Sequence, residues 1–271
     1  MIQVNGVCGF FVILWFALGV VEPLKAESLN GATICGCDDE AEWPPYAYLK
    51  RESGNETSEV IGFSVDVVNE IFGSHGATFK AKLIPWKRCL NEVKTGHCDM
   101  VMNAAYSKER ASQFYISHFF YETTPYYFYS KKHNPEGLDI LNKSDLSKFR
   151  IGGKLGYTYA DYGLTYDEIV AKSGIYADTY SKLIKLLHAG RIDIIVERLE
   201  VMAGFDVTGS SLLQDENLGY APIPQIDPSK FYMMFPKSEK GAELKGMADE
   251  GIERLRKSGR LLELQKTYIP H

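Results

Sequence analysis

One pattern occurs twice in the chain, and it constrains the fold more than any other feature. Gly96-His97-Cys98-Asp99-Met100-Val101-Met102-Asn103-Ala104 and Gly190-Arg191-Ile192-Asp193-Ile194-Ile195-Val196-Glu197-Arg198 share a glycine, an aspartate three residues later, an apolar run and then polar side chains. Each copy follows an amphipathic stretch. The first spans Trp86–Lys94 with Leu90 and Val93 on the inner face, the second Ser181–Ala189. Glycine is a natural helix stop, and a short apolar run bounded by turn signals is a buried strand. Strand, helix and strand in this order imply parallel strands joined by crossover helices. Two such units predict two α/β lobes. Ligands of such sheets bind beyond the carboxyl ends of the strands. That rule points to Asn103 and the loop Ala104-Ala105-Tyr106-Ser107; the second copy's strand ends at the polar pair Glu197-Arg198.

Ser107 suits the N-cap of a helix beginning at Lys108. Arg110 then falls in the first turn, where a cation opposes the helix dipole. Holding a carboxylate through a bidentate fork is a good reason for an arginine there. Upstream, Ala32–Cys37 reads as a strand running into an acidic loop, Asp38-Asp39-Glu40-Ala41-Glu42, and then Trp43-Pro44-Pro45-Tyr46. Arg51–Glu59 is polar and turn-like, Gly62–Phe72 becomes an amphipathic helix, and Thr78–Ile84 alternates as a strand with Phe79, Ala81 and Leu83 on one face. Thr124–Ser130 reads as a strand leaving the first lobe and Asp227–Pro236 as one returning to it. Helices over Ala242–Ser258 and Leu261–Tyr268 close the chain. Tyr126, Tyr127 and Tyr129 read as strand packing. Asp66, Asp99 and Asp193 read as turn and cap residues.

Phe10–Leu18 is an apolar core of signal-peptide length, followed by Pro23-Leu24-Lys25-Ala26 with a small residue at the expected cleavage position. Residues 1–26 are therefore expected to be a signal peptide. Four cysteines remain beyond it: Cys35, Cys37, Cys89 and Cys98. In an oxidising compartment they invite disulfides, with three full pairings open. Cys35 and Cys37 are too close on one strand to bond to each other comfortably. A bridge from Cys35 or Cys37 to Cys89 is favoured. Zinc is the competing reading, although Cys-x-Cys plus two isolated cysteines lacks the usual paired spacing. A net charge of -5 argues against a nucleic-acid partner, which selects a basic face. No GxxxxGK[ST] loop is present for a nucleotide. No cofactor or metal is expected.

Taken together, GFSVDVVNEI, IPWKRCLNEVKTGHCDMVMNA, SKERASQFYISHFFYETTPYYFY, GRIDIIVE, FYMMFPKSEKG and KSGRLLELQKTY resemble, in order and spacing, the family 3 extracellular solute-binding proteins that serve ABC importers of polar amino acids. The resemblance covers nearly all of the chain after Ala26. It implies a two-lobed periplasmic binding protein of type II, with two crossover strands, that closes around its ligand. Lobe one would comprise 27–129 and 231–271, and lobe two 130–230. The resemblance also implies a ligand set. Trp43 and Trp86 would sandwich the ligand, and Arg110 would grip its α-carboxylate. Asn103 and Ala105 would assist, and Tyr157 and Thr158, after Gly156, would donate hydrogen bonds from lobe two. The family's acidic partner for an α-amino group falls at Arg198 here, with Glu197 one position earlier. Either Glu197 does that work or the ligand is not an ordinary α-amino acid. Ala105 stands where the family usually has a hydroxyl residue.

The expected role is a monomeric periplasmic receptor for a small carboxylated solute, an amino acid or a relative, docking on an ABC permease. Two rivals come from other classes. One is a periplasmic enzyme of the same fold, a dehydratase with Glu197 as its acid. The other is a ligand-sensing module for a membrane receptor. No Ser-His-Asp order is apparent in the sequence, and His118 and His133 receive no role.

Overall fold

The computed structural model describes residues 1–2, 29–165, 167–169 and 174–269. All but two residues of the expected signal peptide fall outside these ranges. Among the described residues, no helix is long and apolar enough to cross a membrane.

Two five-stranded sheets carry the fold. The first contains β1 (Thr33–Asp39), β4 (Thr78–Ile84), β5 (Met100–Ala105), β6 (Phe114–Thr123) and β12 (Ser229–Pro236), in the order β4-β1-β5-β12-β6. Strands β1, β4 and β5 run parallel, with Cys37 opposite Lys82 on one side and Val101 on the other. Strand β12 pairs antiparallel with β5 and β6. The second sheet contains β7 (Pro125–Ser130), β8 (Ile151–Lys154), β9 (Tyr176–Ala177), β10 (Ile194–Arg198) and β11 (Leu218–Pro222), ordered β11-β7-β10-β8-β9. Here β10, β8 and β9 are parallel, and β7 runs antiparallel between β10 and β11. The twice-occurring pattern thus occupies equivalent places: β5 and β10 are each the parallel strand that meets an antiparallel neighbour.

Strand β7 pairs inside the second sheet, so the chain changes sheet at Thr124 rather than after residue 129. Thr124 is held there through its N–H and hydroxyl, both donated to the Glu200 carboxylate at 2.8–2.9 Å. The return runs from β11 to β12. The polar stretch read as a turn over 51–59 is instead a hairpin of β2 (Tyr48–Glu52) and β3 (Asn55–Ile61). Cross-strand pairing outweighs the low strand propensity of its charged residues. Its Arg51 grips Glu42 through both guanidinium nitrogens at 2.5 and 2.7 Å, pinning the loop that carries Trp43.

Helix α1 (Phe63–Gly73) buries Phe63, Val67, Val68, Ile71 and Phe72, the spacing of a single core-facing stripe. Each such side chain stabilises the fold by roughly 1.5–3 kcal/mol when fully removed from water. Helix α2 (Trp86–Lys94) turns Trp86, Cys89 and Val93 inward, while Leu90 stays half-buried. Helix α3 (Lys108–Gln113) begins where expected, with Ser107 Oγ accepting from the Arg110 N–H at 3.1 Å. Helices α4 (Tyr180–His188) and α5 (Leu199–Gly204) belong with the second sheet, and α6 (Glu239–Lys257) and α7 (Arg260–Tyr268) pack back onto the first.

The cysteines form two disulfides, Cys37–Cys89 and Cys35–Cys98. The bridge to Cys89 therefore comes from Cys37, and Cys35 takes Cys98, two residues before β5. Both ties hold β1 to the α2–β5 unit. With every one of these thiols bonded to another, the zinc reading is withdrawn. No group of histidine, cysteine and carboxylate side chains able to hold a metal occurs among the described residues.

Candidate functional site

The carboxyl ends of β1, β5, β8 and β10 converge on a cavity between the two sheets. It is lined by Asp38, Trp43, Trp86, Asn103, Ala105, Arg110, Tyr157, Thr158, Arg198 and Phe231. Eight of the nine residues singled out from the sequence are among them. Glu197 is the exception: it is fully buried behind the cavity. There it accepts from the Tyr180 hydroxyl at 2.5 Å and from the Arg198 N–H at 2.8 Å. Strand alternation explains this, since neighbours on β10 point to opposite faces.

Arg110 is buried, with 8% of its surface exposed. Its Nη1 donates to the Ala105 carbonyl at 2.8 Å, and its guanidinium lies 5.2 Å from the centre of the Trp86 ring. Burial pulls its pKa down to about 10, with Asp161 opposing that shift. No carboxylate among the described residues forms an ion pair with it. A charged donor this enclosed is costly unless paired, and here it faces only the Ala105 carbonyl and the Trp86 ring.

The aromatic walls are braced from both sheets. Trp43 lies edge-on to Tyr157 at 5.7 Å and beside Phe231 at 5.5 Å, and Trp86 lies edge-on to Tyr157 at 5.9 Å. Trp86 Nε1 donates to the Gly156 carbonyl at 3.1 Å, joining α2 to the loop after β8. Tyr157 donates its hydroxyl to Asp39 Oδ2 at 2.9 Å, across the same boundary. Lys154 reaches the same oxygen at 3.6 Å. Burial lowers the pKa of Lys154, and the rings of Tyr157 and Tyr180 lie 5.3 and 5.2 Å from its ammonium.

Asn103 and Asp38 form the floor. Asn103 Oδ1 accepts from Ser64 at 2.5 Å and from Tyr121 at 2.9 Å, while its Nδ2 donates to Asp38 Oδ2 at 2.5 Å. Tyr121 accepts in turn from Trp43 Nε1 at 3.1 Å. Asn103 thus spends its carbonyl oxygen and one of its two N–H donors inside the protein, linking Asp38 to Tyr121 and, through it, to Trp43. Burial pushes the Asp38 carboxyl up to about 7, partly offset by Asn103 and by the Asp39 N–H.

Arg198 closes the second-sheet side. Its Nη2 pairs with Asp161 Oδ2 and its Nη1 with Glu197 Oε1 at 3.3 Å. Its guanidinium lies over the rings of Tyr162, Phe231 and Trp43 at 4.9, 5.1 and 6.0 Å. Burial opposes its charge, but Asp161, Tyr162 and Glu197 overcome that and hold its pKa well above the ordinary value. Ser229 at the start of β12 also donates to Asp161, at 2.6 Å, so this cluster spans the return between the sheets.

Sequence reading missed Asp38, Phe231, Lys154 and Asp161. Asp38 and Asp39 read as part of an acidic loop, yet they are the last two residues of β1 and both are buried. The carboxyl-end rule applied to β1, as it was to β5, would have found them. A hydrogen-bonded row of Ser130, His188 and Asp215 also exists, at 2.8 and 2.9 Å. Ser130 Oγ belongs to a residue only 1% exposed, so the row ties β7 to α4 and has no access to a substrate.

Comparison with solved structures supports the architecture. The substrate-binding protein of an amino acid ABC transporter matches with a TM-score of 0.65 at 21% identity, covering 89% of this chain and 100% of the other. An arginine-, lysine-, histidine-binding protein from Geobacillus stearothermophilus matches with a TM-score of 0.66 at 20% identity, covering 88% and 95%. A histidine kinase sensor domain with similarity to periplasmic binding proteins matches with a TM-score of 0.68 at 19% identity, covering 89% and 97%. No curated protein matches the sequence. The sequence pattern of the bacterial extracellular solute-binding proteins, family 3, matches residues 36–271. With that match over most of its length, and with two sheets enclosing a cavity, the chain belongs to the bacterial extracellular solute-binding proteins, family 3.

Proposed function

We propose that the protein captures a small carboxylated solute outside the cytoplasmic membrane and presents it to an ABC permease. The observation that carries this reading is Arg110, a buried guanidinium at the cavity with no ion-pair partner among the described residues. The ligand carboxylate pairs with its fork, and Trp43, Trp86, Tyr157 and Phe231 enclose the rest. Tyr157 and Thr158 come from the loop after β8, so a bound solute makes contacts with both sheets at once. A ligand that touches both sheets binds the closed form better than the open one, and closure follows as a population shift. The protein acts as a monomer. Two disulfides fit an oxidising compartment, and structural relatives that serve amino acid ABC transporters support the permease as partner.

Binding is favoured over catalysis by the placement of Glu197. The acid a dehydratase would need is fully buried and engaged by Tyr180 and Arg198.

The test is thermal stabilisation of the wild type and of Arg110→Ala across amino acids, oxo acids and dicarboxylates. A ligand that binds the folded form raises the melting temperature. Loss of a buried charge-assisted contact is expected to weaken binding by about 2–5 kcal/mol. A folded Arg110→Ala protein with unchanged affinity removes Arg110 from the site.

A further inference from the structure

The charges around the cavity carry an assignment finer than "carboxylated solute", one that rests on the proposed binding role of Arg110. We infer that the solute lacks an ammonium group and carries a second oxygen-bearing group, either a second carboxylate or a carbonyl, that Arg198 recognises. The fitting class is small oxo acids and dicarboxylates rather than α-amino acids.

Two guanidiniums line the cavity, Arg110 from the first sheet's side and Arg198 from the second. Arg198 is paired with Asp161 and Glu197, but Arg110 has no ion-pair partner among the described residues, so an ammonium enclosed with it is repelled, since like-charge juxtaposition in a closed interface is strongly unfavourable. Carboxylates that could compensate are directed elsewhere. Glu197 is fully buried behind the cavity. Asp161 gives its Oδ2 to Arg198 and Ser229; its Oδ1 is buried without a hydrogen-bond partner, but the residue lines a neighbouring groove with Tyr106, Lys108 and Pro228 rather than the cavity. Asp38 is the one carboxylate in the lining. Both its oxygens already accept hydrogen bonds, from the Asp39 N–H at 2.8 Å and from Asn103 at 2.5 Å. Burial keeps it partly protonated near neutral pH, so it is a weak partner for a cation.

Arg198 has a donor to spare. Its Nε is buried and has no hydrogen-bond partner, and a buried unsatisfied donor is destabilising until something accepts from it. A ligand oxygen at the far end of the solute satisfies it without breaking the pairs to Asp161 and Glu197. Because Arg110 and Arg198 belong to different sheets, a solute with an oxygen at each end favours the closed form directly.

The experiment is calorimetric titration of the full-length protein with matched pairs differing only at the amine: 2-oxoglutarate and glutarate against L-glutamate, succinate against L-aspartate, and phenylpyruvate against L-phenylalanine. In at least one pair the amine-free acid is expected to bind at least about 100-fold tighter, and Arg110→Ala abolishes that binding. In Arg198→Lys, which keeps the charge but loses the planar fork, the preferred acid is expected to bind about tenfold weaker. Tighter binding of the amino acid, lost in Arg110→Ala, overturns this inference and leaves the solute-binding reading intact. An unchanged affinity in a folded Arg198→Lys protein also overturns it. Failure of every member of the panel to bind the folded wild type overturns both readings.

Discussion

The two disulfides make a quantitative prediction, because their loops are nested. Cys35–Cys98 encloses a separation of 63 residues and Cys37–Cys89 one of 52. Either bridge alone restricts the unfolded chain by ~4 kcal/mol in the loop-entropy treatment. Once one is closed, the other closes a ring of only about 11 residues, the difference between the separations, worth ~3 kcal/mol. Removing either bridge alone should therefore cost ~3 kcal/mol, and removing both ~7 kcal/mol. The excess of ~1 kcal/mol of the double loss over the summed single losses is the signature of nesting. The assay is guanidinium denaturation of four oxidised proteins: the wild type, Cys37→Ala with Cys89→Ala, Cys35→Ala with Cys98→Ala, and the quadruple variant. Packing lost at each alanine cancels in the cycle. Strictly additive losses, or a double loss smaller than the sum, would refute the nested topology.

Asp38 and Gly156 make two further predictions. The folded-state pKa of Asp38, near 7, lies above the ordinary value of about 3.9, so the folded protein holds a proton that the unfolded chain releases. Its favourable contribution is present below about pH 4 and is lost as pH rises towards 7, at up to ~1.4 kcal/mol per pH unit. Asp38→Asn should therefore gain stability over the wild type as pH rises across that window and then level off. Parallel stability–pH profiles would contradict this. Gly156 has φ +79°, and a Cβ there would stand 3.1 Å from Trp86 Cδ1 and 3.2 Å from Lys87 Cγ. Gly156→Ala should cost about 1–2 kcal/mol in backbone strain and push the Tyr157–Thr158 loop off Trp86, weakening solute affinity in titration calorimetry. Equal affinity would show that this contact is dispensable for closure.

The twofold architecture was legible in the sequence because it rests on local patterns. The glycine stops after Lys94 and Ala189, the apolar runs that became β5 and β10, and the Ser107 cap all depend on neighbours a few residues away. The carboxyl-end rule led from β5 to Asn103 and Ala105, the Ser107 cap and the helix dipole singled out Arg110, resemblance pointed to Arg198, and all four line the cavity. Resemblance supplied the aromatic walls and the loop after Gly156.

What the tertiary structure alone decided is how distant polar groups pair. Which cysteine faces Cys89 depends on the placement of β1 beside α2 and β5. Glu197 and Arg198 are adjacent in sequence, yet the pleat of β10 sends one behind the cavity and the other into it. Asp38 and Asp39 look like a solvated acidic run until the parallel register of β1 buries both. The charge state of the site follows from these placements, because burial and cross-lobe partners set each group's pKa, and no local pattern encodes either. The chain's own residues thus announce a two-lobed solute-binding fold, while which buried charges are left without a partner is decided only when distant elements pack together.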